Sequence, residues 1–328
     1  MSPAGRVPTT PGPTGASLGL GVPVADPPPG VRWTQVLQGR GFLPVRAWFG
    51  LALALFGYAL VVPLLNQLLV LLAWAVSGAR GTFTAFYLRA GAYETPWGLV
   101  ATHLALGSLT IIALVMVRFW HGRPTAFGVS VQPGMRWRYL LLSLPLAALV
   151  LNAAMWLGRI GQSVEFTAPP GWQWWLLAIL LCSPLQAAGE EFFFRGYLMQ
   201  GFGSLSHRPW VGVVASALVF AAFHGVQNVW LFLDRFGFGL LAGTLVLLTG
   251  GLEAAIAAHV ANNLFAFGYA TFMGGVAQTR TLQAIGPQQL AQDLIAFTVI
   301  GLVTWWLGTR LRVATSTPSA VSRRPASR

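Results

Sequence analysis

The sequence predicts an all-α fold, a polytopic membrane helix bundle with about eight transmembrane helices. Three observations carry that prediction. Of 328 residues, 55% are apolar and only 9% are charged, whereas a soluble domain carries about 25% charged residues. The apolar residues are not scattered but fall into eight blocks, each near the ~20 residues a helix needs to cross a bilayer. Tryptophans gather near block ends, at Trp48, Trp97, Trp120, Trp137, Trp172, Trp174, Trp175 and Trp210, where an interfacial aromatic belt is expected.

Residues 1 to about 31 are rich in Pro, Gly and Ala and hold no apolar run long enough for a signal-peptide core. They predict a disordered tail, as do residues 313–328. The first block, 47–77, is long enough to tilt or to carry an extra interfacial turn. Blocks 97–118 and 138–158 follow. Blocks 172–194 and 209–226 are interrupted by polar residues, which blurs their ends. Blocks 228–249, 252–273 and 291–311 complete the set, with no internal repeat.

All twenty basic residues are arginine, and the formal net charge is +12. No arginine run interleaves with aromatics, so nucleic acid is excluded as the partner, and anionic lipid headgroups are the simpler one. With eight spans, one side holds Arg32, Arg40, Arg46, Arg118, Arg123, Arg136, Arg138, Arg208, Arg310 and Arg312, and the other only Arg80, Arg89, Arg159 and Arg280. The positive-inside rule then predicts a multi-pass protein of the cell membrane with both termini cytoplasmic. Arginine without lysine, amid abundant Ala, Gly and Pro, points to a GC-rich bacterial genome. Cys182 is the single cysteine. It excludes an intramolecular disulfide or a cysteine metal cluster and reads as a small apolar residue.

The informative residues are polar ones inside apolar blocks. The stretch GEEFFFRG places Glu190, Glu191 and Arg195 within six residues, although one charge at a membrane-helix centre costs about 2.5–3.5 kcal/mol. Glu191 and Arg195 are four apart and pair on one helical face. Glu190 points about 100° away and needs a partner from another helix, a proton, or a chemical task. Pro184 predicts a kink just upstream, and Gly189 a close backbone approach. The next block carries Phe220 and His224 four apart, and block 252–273 carries His259 and Asn263 four apart. Singly, each is ordinary interhelical hydrogen bonding. Jointly, a carboxylate, two imidazoles and a carboxamide on consecutive blocks predict one site. His103 reads as interhelical glue, Glu253 as an acid at a helix start, and His121 and His207 as solvated loop residues.

These motifs, E-E-x-x-x-R at Glu190, Glu191 and Arg195, F-x-x-x-H at Phe220 and His224, and H-x-x-x-N at His259 and Asn263, resemble the CAAX protease and bacteriocin-processing family of intramembrane endopeptidases. The resemblance spans about residues 172–273. It implies Glu190 as the base that activates water, His224 as its assistant, and His259 with Asn263 as the oxyanion site. Glu191, Arg195 and Phe220 take supporting positions. The chain then divides into a tail and juxtamembrane segment (1–45), accessory helices (46–171), a catalytic core (172–273), a last span (274–312) and a tail (313–328).

The chemistry reads the same way from the residues. Peptide hydrolysis needs an activated water and donors aimed at the oxyanion. No G-x-S-G, H-E-x-x-H or G-x-G-D pattern is present, so serine, site-2-type zinc and presenilin-type aspartyl mechanisms have no sequence support. No cofactor is required. Zinc on Glu190, His224 and His259 is the metal-dependent alternative. The expected substrate is a membrane-associated peptide or protein. Two other functions use the same residues: a proton-coupled transporter, and a non-catalytic immunity or scaffold protein.

Overall fold

The structure, a computed structural model, describes residues 23–39, 41–225 and 227–319. Helices dominate it, and among the described residues the only β pairing is two isolated bridges, Arg32 with Ser316 and Ser130 with Gly251. In chain order the helices are α1 (Pro44–Val76), α2 (Phe83–Gly91), α3 (Pro96–Trp120), α4 (Trp137–Leu157) and α5 (Trp172–Ser204). There follow α6 (Pro209–Ala222), α7 (Val229–Thr249), α8 (Glu253–Phe272), α9 (Val276–Arg280) and α10 (Pro287–Arg310).

Each of the eight apolar blocks is helical, and among the described residues six helices are long and apolar enough by themselves to cross a membrane: α1, α3, α4, α5, α7 and α10. The other two depart for different reasons. Helix α6 has only 14 residues, because Pro209 starts it late and the chain turns at Phe223. Helix α8 has 20 residues but carries Glu253, His259, Asn262 and Asn263, which lower its mean hydropathy. It is sheltered instead, packed between α4 and α5.

The block expected at 172–194 runs on to Ser204. No break occurs at Pro184, which lies inside the α-helical part; the departure comes later, where Glu191–Leu198 adopts π geometry. Helix α5 is the centre of the bundle: 61% of its most apolar stretch is buried, against 11% for α4 and 17% for α1. The apolar outer faces of those two would meet lipid. Helices α3 and α8 flank α5. Gly189 allows the α3 contact, since a Cβ there would stand 2.5 Å from the Leu106 carbonyl oxygen and 2.9 Å from Gly107 Cα.

The tails also depart from expectation, as far as they are described; residues 1–22 and 320–328 lie outside the described residues. Thr317 N–H donates to the Val31 carbonyl at 2.9 Å, and Gly30 N–H donates to the Thr317 carbonyl at 3.1 Å. Arg123 holds the N-terminal segment by donating to the carbonyls of Ala25, Asp26, Leu37 and Gln38 at 2.7–3.4 Å. Backbone groups that composition leaves to water are thus paired with the bundle.

Candidate active site

Local geometry on α5 separates the two glutamates. Arg195 Nη1 donates to Glu191 Oε1 at 3.0 Å, and both side chains are fully buried. The guanidinium lies 4.1 Å from the ring centre of Phe220 and 5.2 Å from that of Phe238, so aromatic faces receive part of its charge. The Arg195 carbonyl accepts from Trp33 Nε1 at 2.8 Å, which ties the N-terminal segment to the motif.

Helix α8 brings the second half of the site. His259 Nδ1 lies 2.7 Å from Glu191 Oε1, so the proton sits on Nδ1 and is donated to that carboxylate. This fixes the ring and turns Nε2 toward Glu190 Oε2, at 3.6 Å. Glu190 has no guanidinium in ion-pair contact among the described residues, and it keeps 7% exposure where Glu191 and Arg195 have none. One turn along α8, Asn263 Nδ2 donates to Gln186 Oε1 at 2.5 Å. Gln186 is one turn before Glu190 on α5.

Helix α6 contributes less directly. Phe220 packs between Arg195 and His224, with 4.5 Å between its ring centre and that of His224. His224 stands at the exposed end of α6, and its Nδ1 donates to the Phe220 carbonyl at 2.8 Å. The structure therefore gathers Glu190, Glu191, Arg195, Phe220, His259 and Asn263, with His224 at the open edge one turn from Phe220.

A zinc ion would need Glu190, His224 and His259 to converge. Nδ1 of His259 is committed to Glu191 and Nδ1 of His224 to a carbonyl, which leaves Nε2 of each ring as the nitrogen a metal would take. Among the described residues no group of three His, Cys, Asp or Glu side chains is placed to hold a metal ion.

Sequence reading missed three participants. Gln186 carried a signal, a polar residue in an apolar block four positions before Glu190. Trp33 lay in a segment read as tail, and Phe238 looks like any other core aromatic. His103, by contrast, does what was expected of it: its Nδ1 lies 3.1 Å from Ser183 Oγ, joining α3 to α5.

Residues 172–265 match the model of a family described as type II CAAX prenyl endopeptidase Rce1-like. All the motif residues lie inside that match. The chain is also 26% identical over 206 residues to the uncharacterized protein YyaK of Bacillus subtilis (strain 168), covering 58% of this chain and 69% of that one. In class, then, this is a multi-pass, all-α membrane protein. Its region 172–265 is similar to the Rce1-like family, which is one of CAAX-type membrane proteases.

Proposed function

We propose that this chain is an intramembrane endopeptidase that cleaves membrane-associated proteins or peptides with a water activated by Glu190. The observation that carries the reading is the division of labour between adjacent carboxylates. Glu191 is held by Arg195 and His259, whereas Glu190 faces His259 Nε2, has no arginine in contact among the described residues and is buried less completely, at 7% against 0%. Glu190 takes a proton as the water oxygen bonds to the substrate carbonyl carbon. The carbonyl oxygen becomes an oxyanion and accepts from the Asn263 amide N–H not used by Gln186. Glu190 then passes its proton to the leaving nitrogen, by way of His259 Nε2, and the C–N bond breaks. His224, at the open edge, helps seat the attacking water. No step uses a metal.

On this reading both termini are cytoplasmic, as the arginine distribution suggests, and the substrates are membrane-anchored proteins and peptides of a bacterial cell rather than prenylated CAAX proteins. The test compares membranes holding the wild-type chain with membranes holding Glu190→Gln, mapping cleavage products by mass spectrometry. Termini that appear only with the wild type, and persist under exhaustive chelation, support the proposal. Identical termini from both proteins sink it. Chelator-sensitive cleavage restored by zinc removes the metal-free mechanism, and solute flux without proteolysis in vesicles favours the transporter.

A further inference from the structure

Beyond the catalytic region, the arginine-rich end of the bundle holds a pocket lined by Gly41, Leu43, Arg46, His121 and Arg123, among others. It lies where α3 ends and α1 begins. Three features make it a site rather than a gap. First, Arg123 is only 5% exposed, yet its guanidinium is met by four neutral carbonyls, and no carboxylate of the described residues pairs with it. Its Nε has no hydrogen-bond partner. A buried charge without a counter-charge is costly. Second, Arg46 sits in the first turn of α1, where no side chain caps the helix and no acid is present. The helix dipole makes that end positive, so Arg46 adds like charge to like. Third, His121, expected to be solvated, is half-buried with Nε2 3.1 Å from the Tyr197 hydroxyl. Burial, then Arg46 and Arg123, push its pKa down to about 4. At neutral pH it is uncharged and leaves Arg46 and Arg123 as the charged residues of the lining.

The pocket is partly open and small, with space for about one water-sized group, so a phosphate would seat an oxygen in it rather than enter whole, and the charge it lacks is negative. Helix N-termini and arginines together are a common setting for phosphate. Its position names the source. Leu43, Val45, Trp48 and Phe49, beside Arg46 on α1, are 55–64% exposed, as residues in contact with lipid would be. The pocket therefore lies at headgroup depth. We propose that it binds the phosphate of an anionic phospholipid headgroup. Tyr197 belongs to the π-helical stretch of α5, so such a lipid would brace the helix that carries Glu190 and Arg195 from below.

The test is thermal unfolding of the full chain in nanodiscs of phosphatidylglycerol against phosphatidylcholine, with inorganic phosphate in detergent as a third arm. Phosphatidylglycerol is expected to raise Tm by ~3 °C, as for a ligand several-fold above its Kd on a chain of this size. Arg46→Gln should lose most of that rise, whereas Arg208→Gln, which removes an equal charge at the same end outside the pocket, should keep it. An equal rise in Arg46→Gln and wild type, or no rise at all, overturns the proposal. Inorganic phosphate alone giving the full Arg46-dependent rise supports the site and overturns the lipid as its occupant. Arg46→Gln is preferred to an Arg123 variant because Arg123 also anchors the N-terminal segment.

Discussion

Arg136 and Glu253 share two side-chain bonds, of 2.9 and 2.5 Å, and Arg136 also reaches the carbonyls of Thr249 and Ala314. Arg195 and Glu191 share a single bond of 3.0 Å, and Glu191 Oε2 and Arg195 Nε and Nη2 have no hydrogen-bond partner. Both pairs are buried, and both join a guanidinium to a carboxylate. The first is bidentate and satisfied, and it fastens the start of α4 to the start of α8. The second is under-satisfied in a setting where each lost bond costs about 1–3 kcal/mol. What it gains is a third member: His259 bonds to the same Glu191 oxygen that Arg195 uses. One pair is a fastener; the other is a mount for a side chain that must face Glu190.

The comparison is broken or sharpened first at Glu190. Glu190→Gln is expected to lower cleavage by about 10²–10⁴-fold with little change in the thermal unfolding of detergent-solubilised protein. If instead Glu190→Gln unfolds early and Glu191→Gln is stable but inactive, the two carboxylates have been given each other's roles. Next come the pairs themselves. Glu191→Gln, Arg195→Gln and Glu253→Gln should each cost about 3–5 kcal/mol, the usual penalty for stranding one member of a buried pair. Only the first two should also lose activity per folded molecule, measured at low temperature. A Glu253→Gln protein that is folded but equally inactive would show that the two pairs do not differ in kind.

A smaller effect is expected at Gln186. Gln186→Leu removes the acceptor that orients Asn263 but spares the base, so turnover should fall by roughly 10–10²-fold, less than the 10²–10³ of losing an oxyanion donor outright. Turnover equal to wild type would detach Gln186 from the site. The smallest effect concerns pH. His121 is lowered from 6.5 to about 4 in the fold, so the folded state prefers its neutral form. Its contribution is present above pH 6.5 and shrinks as pH falls toward 4. Thermal unfolding should weaken across that window, and His121→Gln should flatten the slope. A slope unchanged by the substitution would assign it to other groups.

Much of this was legible in the sequence. Block length and composition gave the helices, and the spacing of four gave the Glu191–Arg195 pair, because both follow from the chain's own geometry. What was not legible depends on partners distant in sequence. Nothing local says that His259 would bond Glu191 and face Glu190, or that Trp33 would reach Arg195. Nor does apolar length alone reveal that α8 is sheltered by α4 and α5, which is what lets that helix carry so many polar residues. The tails were misread where described because composition reports what a segment can bury by itself, and residues 23–31 and 313–319 pair with each other and with Arg123.

The π-helical stretch Glu191–Leu198 acts as a spacer. A wide turn accommodates one residue more than an α-helix would in the same length, so its two flanks are out of phase with an uninterrupted α ladder. Removing a single residue between 192 and 198 would let that ladder close and would abolish the wide turn around Arg195, while the segments on either side kept their places. The Arg195 carbonyl, which now accepts from Trp33, would be drawn into the regular ladder. The helix would be more regular and the protein less able to do its chemistry. Here one inserted residue, rather than any substitution, lets the same rod present a carboxylate to the cavity at one level and a fully packed flank at the next.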